Sequence, residues 1–310
     1  MAHSISPLVS VIIPGYNHAP FLKKRIEGVL AQTYHNIEVI MLDDCSTDNS
    51  TEIMRLYKED ERISHIIIND RNTGNTFKQW EKGISLAKGE YIWIAESDDD
   101  ASPDFLTFLM KKLLEYPDAT LAFCRSQMID TDGKPLNYSW DETKRYKGRG
   151  VYEGKDFCLH RMVYKNLLYN ASMIVFRKQF YHNINNAYQN YRHSGDWLFW
   201  FEMCMQGKVC EVPEELNRFR QHPAKVSNEA LECKDLEEIV EIQEIISSRL
   251  QLSHYQRSCL RGRQSKRLNK SRYKDKAYLR MKYPDIYRAT FFDYMAYNFD
   301  KIFNFSGLQK

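Results

Sequence analysis

Two kinds of hydrophobic pattern alternate along the first 126 residues. Short apolar runs predict strands at residues 10–14, 37–42, 63–68, 91–95 and 120–125. Between them, apolar residues at helical spacing predict helices at residues 20–32, 47–57, 76–87 and 103–115. Strands that alternate with helices of this length predict a parallel, doubly wound α/β sheet.

This alternation ends near residue 126. Residues 127–165 are polar and rich in turn-forming residues, which predicts a loop-bearing insertion. Regular patterns then return as predicted strands at residues 172–177, 209–212 and 216–220, and as predicted helices at 196–206 and 231–250. We therefore expect three parts, over residues 1–126, 127–228 and 229–310, the last of them helical.

The composition is that of an ordinary globular protein, with 43% hydrophobic and 27% charged residues. No apolar stretch approaches the roughly 18 residues that cross a bilayer, so we expect no membrane-spanning helix. The first residues contain neither a basic segment nor a cleavage site, and we expect no signal peptide and a cytoplasmic location. The seven cysteines include no CxxC pair, which argues against a disulfide framework and a structural zinc site.

The charge is unevenly distributed along the chain. Residues 255–310 contain 14 Lys and Arg against 4 Asp and Glu, whereas residues 1–254 contain 30 against 37. Eight aromatic residues follow the basic stretch, and such a tail favours attachment to an anionic membrane surface. The alternative is a helical tail whose aromatic side chains pack on the body or on a second subunit. The acidic body, without an RNA-binding motif, argues against a nucleic-acid partner.

Polar residues cluster where four of the predicted strands end. The clusters are Pro14-Gly15-Tyr16-Asn17, Asp43-Asp44-Cys45-Ser46, residues 69–74 and Glu96-Ser97-Asp98-Asp99-Asp100. Because the carboxyl ends of parallel strands share one edge, we expect the clusters to converge. Each cluster alone is also typical of a helix cap, a turn or a solvated loop. Together, however, the acids repel one another unless a cation or a donor-rich ligand joins them.

The order of these motifs resembles that of the family-2 glycosyltransferases, which have the GT-A fold. The family's first strand reads VSVIIPxYN, as residues 9–17 do, and its second strand ends in DDxSxD, as residues 43–48 do. Its fourth strand ends in an acidic run before a Pro-Asp pair, matched by residues 96–99 and 103–104. No GxGxxG or GxxxxGK[ST] motif points to a dinucleotide-binding Rossmann unit or a P-loop instead.

The resemblance covers residues 8–126 densely and residues 170–227 more loosely. It implies a GT-A, Rossmann-like and mostly parallel doubly wound sheet with a C-terminal helical extension. In this reading, residues 1–126 bind the nucleotide-sugar and residues 127–228 bind the acceptor within the same domain. Residues 229–310 form a helical, basic and aromatic extension.

The resemblance also implies a donor site. Tyr16 is expected to stack on the nucleotide base, where aromatic stacking contributes roughly 1–3 kcal/mol per base. Asp44 is expected to accept a hydrogen bond from the base or the ribose. Pro14 and Asn17 would shape this pocket with the backbone. Two basic residues, Arg71 and Lys78, are expected to reach the diphosphate.

A divalent cation, Mg2+ or Mn2+, is the cofactor that the resemblance implies. Glu96 and Asp98 stand where the family's D-x-D motif binds the metal, and hard cations of this kind prefer oxygen ligands. The first acid here is Glu, whose longer side chain can instead act through water or on the ribose. His222, in a segment similar to the family's R-x-H, is expected to join the metal or the diphosphate.

The implied general base is Asp196, which precedes an aromatic residue at a predicted helix start. Asn170 and Trp197 are expected to line the acceptor pocket by the same resemblance. The implied activity is that of an inverting, metal-dependent hexosyltransferase, from a nucleotide-sugar to a glycan or lipid-linked acceptor in cell-surface polysaccharide synthesis. The alternatives are a nucleotidyltransferase and a non-catalytic protein that binds sugar nucleotides.

Overall fold

The computed structural model describes residues 6–138, 150–223, 235–306 and 308. In these residues one sheet contains nine strands: β1 (Val9–Gly15), β2 (Ile37–Asp43), β3 (Ile63–Ile68), β4 (Tyr91–Ile94), β5 (Asp100–Ala101), β6 (Ala119–Ile129), β7 (Val151–Glu153), β8 (Ile174–Arg177) and β9 (Lys208–Arg220). The helices of the first two parts are α1 (Ala19–Leu30), α2 (Ser50–Arg55), α3 (Thr76–Leu86), α4 (Phe105–Glu115), α5 (Gly154–Phe157), α6 (Lys178–Tyr181) and α7 (Gly195–Cys204). Those of the extension are α8 (Leu236–Arg249), α9 (His254–Lys270), α10 (Lys276–Lys282), α11 (Pro284–Tyr287) and α12 (Phe291–Phe303).

Strands β3, β2, β1 and β4 lie side by side in that order and are all parallel. The chain moves from β1 outward to β3 and then returns to the other side of β1. Because parallel crossover connections are right-handed, this reversal places α3 on the opposite face of the sheet from α1 and α2. Ligands bind to sheets of this kind at the reversal point, which here lies between β1 and β4. The predicted α/β class and its doubly wound sheet are confirmed.

The second half of the sheet mixes strand directions. Strand β8 lies antiparallel between β4 and β6, and β5 and β7 pair antiparallel with β9. Strand β9 runs parallel to β6 as one long strand, where the sequence predicted two. Its register against β6 shifts beside Arg125, and the polar residues Glu214 and Glu215 at this irregularity had the pattern of a turn.

The predicted insertion at residues 127–165 is more regular than expected. Strand β6 continues to Ile129, and β7 and α5 follow within the same range. A π-helical segment, Cys158–Met162, continues α5, and short 3₁₀ segments occur at Ala171–Met173 and Asn186–Asn190. These elements are short, and such elements leave no periodic hydrophobic signal.

Aromatic side chains fix the helices to the sheet. On the face that carries α3, the ring centroid of Trp80 lies 5.6 Å from that of Phe199 and 5.9 Å from that of Trp200, both in α7. On the opposite face, Trp93 of β4 stacks on Phe105 of α4 at 4.5 Å. Because these rings are buried, α3 and α7 form one packed layer beside the reversal point.

The C-terminal helices form the predicted extension. Helix α8 packs against α7, while α9 packs against α11 and α12. The predicted helix at 231–250 corresponds to α8, and its first four positions lie outside the described residues. A capping box between Ser253 and Gln256 begins α9, and another between Thr290 and Asp293 begins α12. Among the described residues, every helix is too short or too polar to cross a bilayer.

Candidate active site

The segment that follows β1 connects the neighbouring strand ends. The backbone N–H of Asn17 donates to the Ser46 hydroxyl at 2.9 Å, and Nδ1 of His18 lies 2.7 Å from the Ser97 hydroxyl. Asn17 adopts a left-handed backbone with φ of 55°, which Asn tolerates better than most residues. The loops after β1, β2 and β4 therefore meet at the reversal point, as the sequence predicted.

Pro14 and Tyr16 occupy different depths of this crevice. Pro14 is buried within the sheet and pairs in register with Leu42 of β2. The side chain of Tyr16 is 42% exposed, so one face of its ring is open to a ligand.

Asp44 organises the loop between β3 and α3. Its carboxylate accepts hydrogen bonds from the Asn69 amide at 2.7 Å, from the Gln79 amide at 2.9 Å and from the Thr73 hydroxyl at 2.8 Å. The backbone N–H of Thr73 also donates to both carboxylate oxygens at 3.0 Å. Because Asp44 is buried and holds five hydrogen bonds, it fixes the shape of this pocket wall whatever else it binds.

A surface pocket of about 620 Å³ lies beside the Asp44 network. Its lining residues are Asn69, Asp70, Arg71, Thr73, Lys78, Gln79 and Lys82. Three of these side chains are cationic, Arg71, Lys78 and Lys82, and one, Asp70, is anionic, so the pocket suits an anionic ligand. The predicted diphosphate residues, Arg71 and Lys78, are therefore close to the partners of Asp44.

The acidic run after β4 is held by the end of β9. Strand β5 pairs antiparallel with β9 with Asp100 opposite Arg218, which brings residues 98–99 next to Arg220 and His222. The guanidinium Nε of Arg220 donates to the Asp98 carbonyl at 2.8 Å, and its backbone N–H donates to the Asp99 carboxylate at 3.0 Å. Nε2 of His222 lies 3.0 Å from the Asp98 carboxylate. Asp98 and His222, both expected from the sequence to be near the metal, therefore lie side by side.

Three side chains, His18, Asp98 and His222, could hold a metal ion. Their ligand atoms all lie within 4.8 Å of one another. One carboxylate and two imidazoles fit a divalent transition ion such as Mn2+ better than Mg2+, which prefers an all-oxygen shell. Sequence reasoning missed His18, although the residue follows directly after the Tyr-Asn pair at the end of β1.

Glu96 stands apart from this group. Its carboxylate accepts a hydrogen bond from the Trp80 indole N–H at 2.8 Å, and its backbone N–H donates to the Ser172 hydroxyl at 3.0 Å. Burial, and then the negative charge of Asp98, raise the pKa of Glu96 to about 8. The Glu96 carboxyl thus turns toward Trp80 and lies outside the group of His18, Asp98 and His222, while its expected role as a metal ligand stays a prediction.

A buried arginine lies beneath the acidic run. Arg25 faces the sheet from α1, and its guanidinium lies 4.8 Å from the ring centre of Trp93. Burial lowers the pKa of Arg25, and the negative charges of Asp99 and Asp100 oppose that effect. This buried cation therefore offsets part of the repulsion among the acids. Its position on the apolar stripe of α1, between Leu22 and Val29, is a signal that sequence analysis could have used.

Asp196 begins α7, where sequence analysis placed the general base. The Asn166 amide donates to its carboxylate at 2.8 Å. Burial is the main cause that raises the pKa of Asp196 to about 7, and the charge of Glu238 adds to it. Gly195 permits this arrangement, because a Cβ there would lie 2.2 Å from the Tyr188 carbonyl oxygen.

One chain segment connects Asp196 with the acidic run. Asn166 binds Asp196, and four residues later the Asn170 amide donates to the Asp99 carboxylate at 2.7 Å. Four residues of extended chain span at most about 14 Å between Cα atoms. Asp196 and the acidic run are therefore connected by one short segment, residues 166–170.

Asn170 and Trp197 lie deeper than an acceptor-lining role predicts. The Asn170 amide oxygen accepts from Asn217 at 3.1 Å, and its side chain is buried behind Asp99. Trp197 is buried as well, and its indole N–H donates to the Met162 carbonyl at 3.0 Å. Both side chains therefore lie in the core beneath the site, because the packing of α7 and β8 turns them inward.

Known proteins match the chain over the region that contains these residues. The family model for glycosyl transferase family 2 matches residues 10–176. Glycosyltransferase GlyG of Streptococcus pneumoniae is 33% identical over 165 residues, which are 53% of this chain and 50% of GlyG. The putative teichuronic acid biosynthesis glycosyltransferase TuaG of Bacillus subtilis is 34% identical over 132 residues, 42% of this chain and 51% of TuaG. The chain thus matches about half the length of these relatives.

Solved structures share the fold. S. aureus TarS 1–349, in complex with UDP-GlcNAc, superposes with a TM-score of 0.63 at 16% identity, over 86% of this chain and 74% of that chain. The mannosyltransferase PcManGT from Pyrobaculum calidifontis, in complex with GDP-Man and Mn2+, superposes with a TM-score of 0.55 at 14% identity, over 97% of this chain and 89% of that chain. These likenesses confirm the predicted GT-A fold.

The family match covers more than half of the chain and includes the loops that meet at the reversal point. It begins within β1 and ends within β8, so it contains Asp44, Asp98 and the Asn166–Ser172 segment that contacts Asp196 and the acidic run. The chain belongs to glycosyl transferase family 2.

Proposed function

We propose that this chain transfers a hexose from a nucleotide-sugar to a hydroxyl of a glycan or lipid-linked acceptor, with inversion at the anomeric carbon. The observation that carries this proposal is the meeting of the strand-end loops, which form a group that could hold a metal ion and, beside Asp44, a basic pocket. Asp196, whose pKa is raised to about 7, is connected to the acidic run through residues 166–170. Family membership and the name of the relative TuaG support a role in cell-surface polysaccharide synthesis.

The donor would bind along the strand ends. Tyr16 would stack on the nucleotide base. The pocket wall that Asp44 organises, together with Pro14 and Asn17, would contact the edge of the base and the ribose. Arg71 and Lys78 would bind the diphosphate, because both line the basic pocket next to this wall. We assign this donor site to residues 1–126, acceptor binding to residues 127–228 and the extension to residues 229–310.

A divalent cation would be held by Asp98 and His222, with His18 as a third ligand. When bound, the cation supplies positive charge near the diphosphate leaving group. In the free protein, Arg220 holds Asp98 and Asp99 in place through two groups, its backbone N–H and its side-chain Nε. Mn2+ would suit this donor set better than Mg2+.

Asp196 would remove the proton from the acceptor hydroxyl as its oxygen attacks the anomeric carbon. Asn166 orients this carboxylate through its amide, and the rigid start of α7 keeps it at the edge of the crevice. General bases are most effective when their pKa lies near the working pH, as that of Asp196 does. The bond from the sugar to the diphosphate breaks, and the diphosphate departs with that electron pair.

A donor screen tests the proposal. The purified chain would be incubated with UDP-, GDP- and dTDP-sugars, with and without MnCl2, and release of the nucleoside diphosphate would be measured by mass spectrometry. We expect metal-dependent release with one nucleotide, and its loss in Asp98→Asn but not in Asp132→Asn, a control at an exposed turn. In a parallel incubation with a nucleoside triphosphate and a sugar 1-phosphate, release of pyrophosphate with formation of the nucleotide-sugar would indicate a nucleotidyltransferase. Donor binding without turnover would indicate a non-catalytic binding protein.

We also propose that the chain attaches to an anionic membrane through the outer face of α12. This outer face consists of exposed apolar side chains, namely Phe291, Phe292, Met295, Phe299, Ile302 and Phe303, with Phe305 just beyond the helix. Exposed apolar patches of this size on a protein surface mark interaction sites. A lipid-linked acceptor would be available at the same surface.

Charges on α12 favour lipid over a protein partner. Its two carboxylates face inward, where Asp293 pairs with Arg261 at 3.0 Å and Asp300 accepts from the Ser306 hydroxyl at 2.6 Å. Arg288 and Lys301, by contrast, are exposed. An amphipathic helix with an apolar outer face and exposed cations suits the headgroup region of an anionic bilayer.

Vesicle flotation tests this attachment. We expect flotation with phosphatidylcholine vesicles that contain phosphatidylglycerol, and weaker flotation at high salt or with phosphatidylcholine alone. The double variant Phe299→Ser, Ile302→Ser should stay at the bottom, whereas Leu56→Ser, at an exposed apolar residue directly after α2, should float like the parent. A dimer in sedimentation velocity that the same double variant converts to a monomer would instead assign this face to a second copy.

A further inference from the structure

The extension reaches the active-site layer through one carboxylate. Glu238 of α8 accepts three backbone hydrogen bonds, each of 2.8 Å, from the N–H groups of Arg192, His193 and Ser194. These three residues are consecutive and immediately precede α7. A carboxylate that accepts three amide donors is held firmly in place and holds its donors equally firmly.

These hydrogen bonds complete the start of α7. Ser194 occupies the N-cap position, but its side chain makes no capping hydrogen bond. Backbone N–H groups at a helix start need an acceptor, and a negative charge there is favourable. Glu238 therefore binds the N-cap amide of Ser194 and the two amides before it, and places a negative charge beside the helix start. Asp196 lies only two residues beyond Ser194.

We propose that Glu238 is a positioning residue for Asp196, and that α8 of the extension is consequently part of the catalytic unit. This inference rests on the proposed role of Asp196 as general base. Glu238 itself touches no reacting atom: it fixes the turn at residues 192–194, and the turn fixes the direction in which α7 presents Asp196. On the other side, Asn166 holds the carboxylate of Asp196, so the base is constrained from two directions.

The isosteric variant Glu238→Gln tests this role. Its amide keeps one acceptor oxygen but turns an NH2 group toward a backbone N–H, so at least one of the three hydrogen bonds is lost. We expect kcat to fall at least tenfold, while the KM for the nucleotide-sugar changes less than twofold, because the donor pocket lies on other loops. Hydrogen–deuterium exchange should accelerate at least tenfold at the amides of residues 192–194, and remain unchanged within α3.

A matched control lies on the same helix. Glu241, one turn further along α8, accepts a hydrogen bond from the Tyr283 hydroxyl at 2.7 Å within the extension. Glu241→Gln should therefore leave kcat, KM and the exchange at residues 192–194 unchanged. If Glu238→Gln fails to fold, Glu238→Asp replaces it: the charge is retained, but the shorter side chain retreats from the three amides, so kcat should again fall without a change in KM.

The outcomes separate this inference from the proposed function. A normal kcat in Glu238→Gln, with faster exchange at residues 192–194, would overturn the positioning role while leaving the base assignment intact. A loss of kcat accompanied by a rise of fivefold or more in the KM for the nucleotide-sugar in both Glu238 variants would indicate a general structural role and would also overturn it. An active Asp196→Asn variant, by contrast, would remove the base assignment on which the inference rests.

Discussion

Replacement of Asp196 by Asn is the sharpest test of the chemistry. The two side chains have the same shape, and an amide oxygen can still accept the hydrogen bond from Asn166. What the variant loses is the ability to take a proton. Loss of a positioned general base lowers the rate by about 10²–10⁴-fold. We expect a loss of this size in kcat/KM for the acceptor, with an unchanged dissociation constant for the donor.

The pH dependence of the parent follows from the same carboxyl group. Because burial raises the pKa of Asp196 to about 7, the group holds its proton at lower pH and cannot act as a base. Its ionised fraction is about 0.1 at pH 6 and about 0.9 at pH 8, so kcat/KM should rise about tenfold across this interval. We use kcat/KM for the acceptor because it reports the protonation state of the enzyme form that the acceptor binds.

The assay would follow nucleoside diphosphate release at saturating donor and metal, with the acceptor varied and the pH changed from 5.5 to 8.5. Asp196→Asn should give a flat profile over the range where the parent rises, and Asp132→Asn should give the parent profile. The reasoning would be refuted by a flat parent profile between pH 6 and pH 8, or by an Asn variant within threefold of the parent.

Four further outcomes are expected. Because the folded pKa of Asp196 lies above its unfolded value, the parent's unfolding free energy should fall, relative to Asp196→Asn, by about 1 kcal/mol per pH unit between pH 4 and pH 7 in urea titrations. Asp44→Asn should reduce stability by about 1–3 kcal/mol and weaken nucleotide-sugar binding in calorimetry, because the Asn NH2 group would face N–H and O–H groups that need an acceptor. His18→Ala should weaken Mn2+ binding at least tenfold in electron paramagnetic resonance titrations, and parent-like affinity would exclude it as a ligand. Gly195→Ala should lower stability by about 1–3 kcal/mol, because the new Cβ clashes with the Tyr188 carbonyl; an unchanged Tm would contradict the close approach.

Several features could be predicted from sequence because they depend on local patterns. Apolar runs identified β1 to β4 and the helices between them, and the shared edge of parallel strands predicted that Asp44 and Asp98 would approach the loop after β1. The extension was predicted to be helical from the periodicity that became α8. Each of these inferences needs only the spacing of residues within about 20 positions.

Other features depend on contacts between distant parts of the chain. The insertion of β8 between β4 and β6 and the continuity of β9 depend on which strands pair, and strand partners leave no local signature. The packing of α3 and α7 also determines side-chain directions. The Glu96 side chain points toward Trp80, whereas those of Trp197 and Asn170 point into the core.

The same distinction applies to the active-site residues. Motif order along the chain was enough to place Asp44 and Asp98 at the strand-end edge of the sheet and Asp196 at the start of a helix, since fold class and strand direction follow from local hydrophobic patterns. Two features could be recognised only in the folded chain. One is the buried cation of Arg25 near the acidic run, and the other is the set of hydrogen bonds from the segment before α7 to Glu238. The physical reason is that a charged side chain becomes a partner or a cap through burial and distance, and both are set by the packing of elements far apart in sequence.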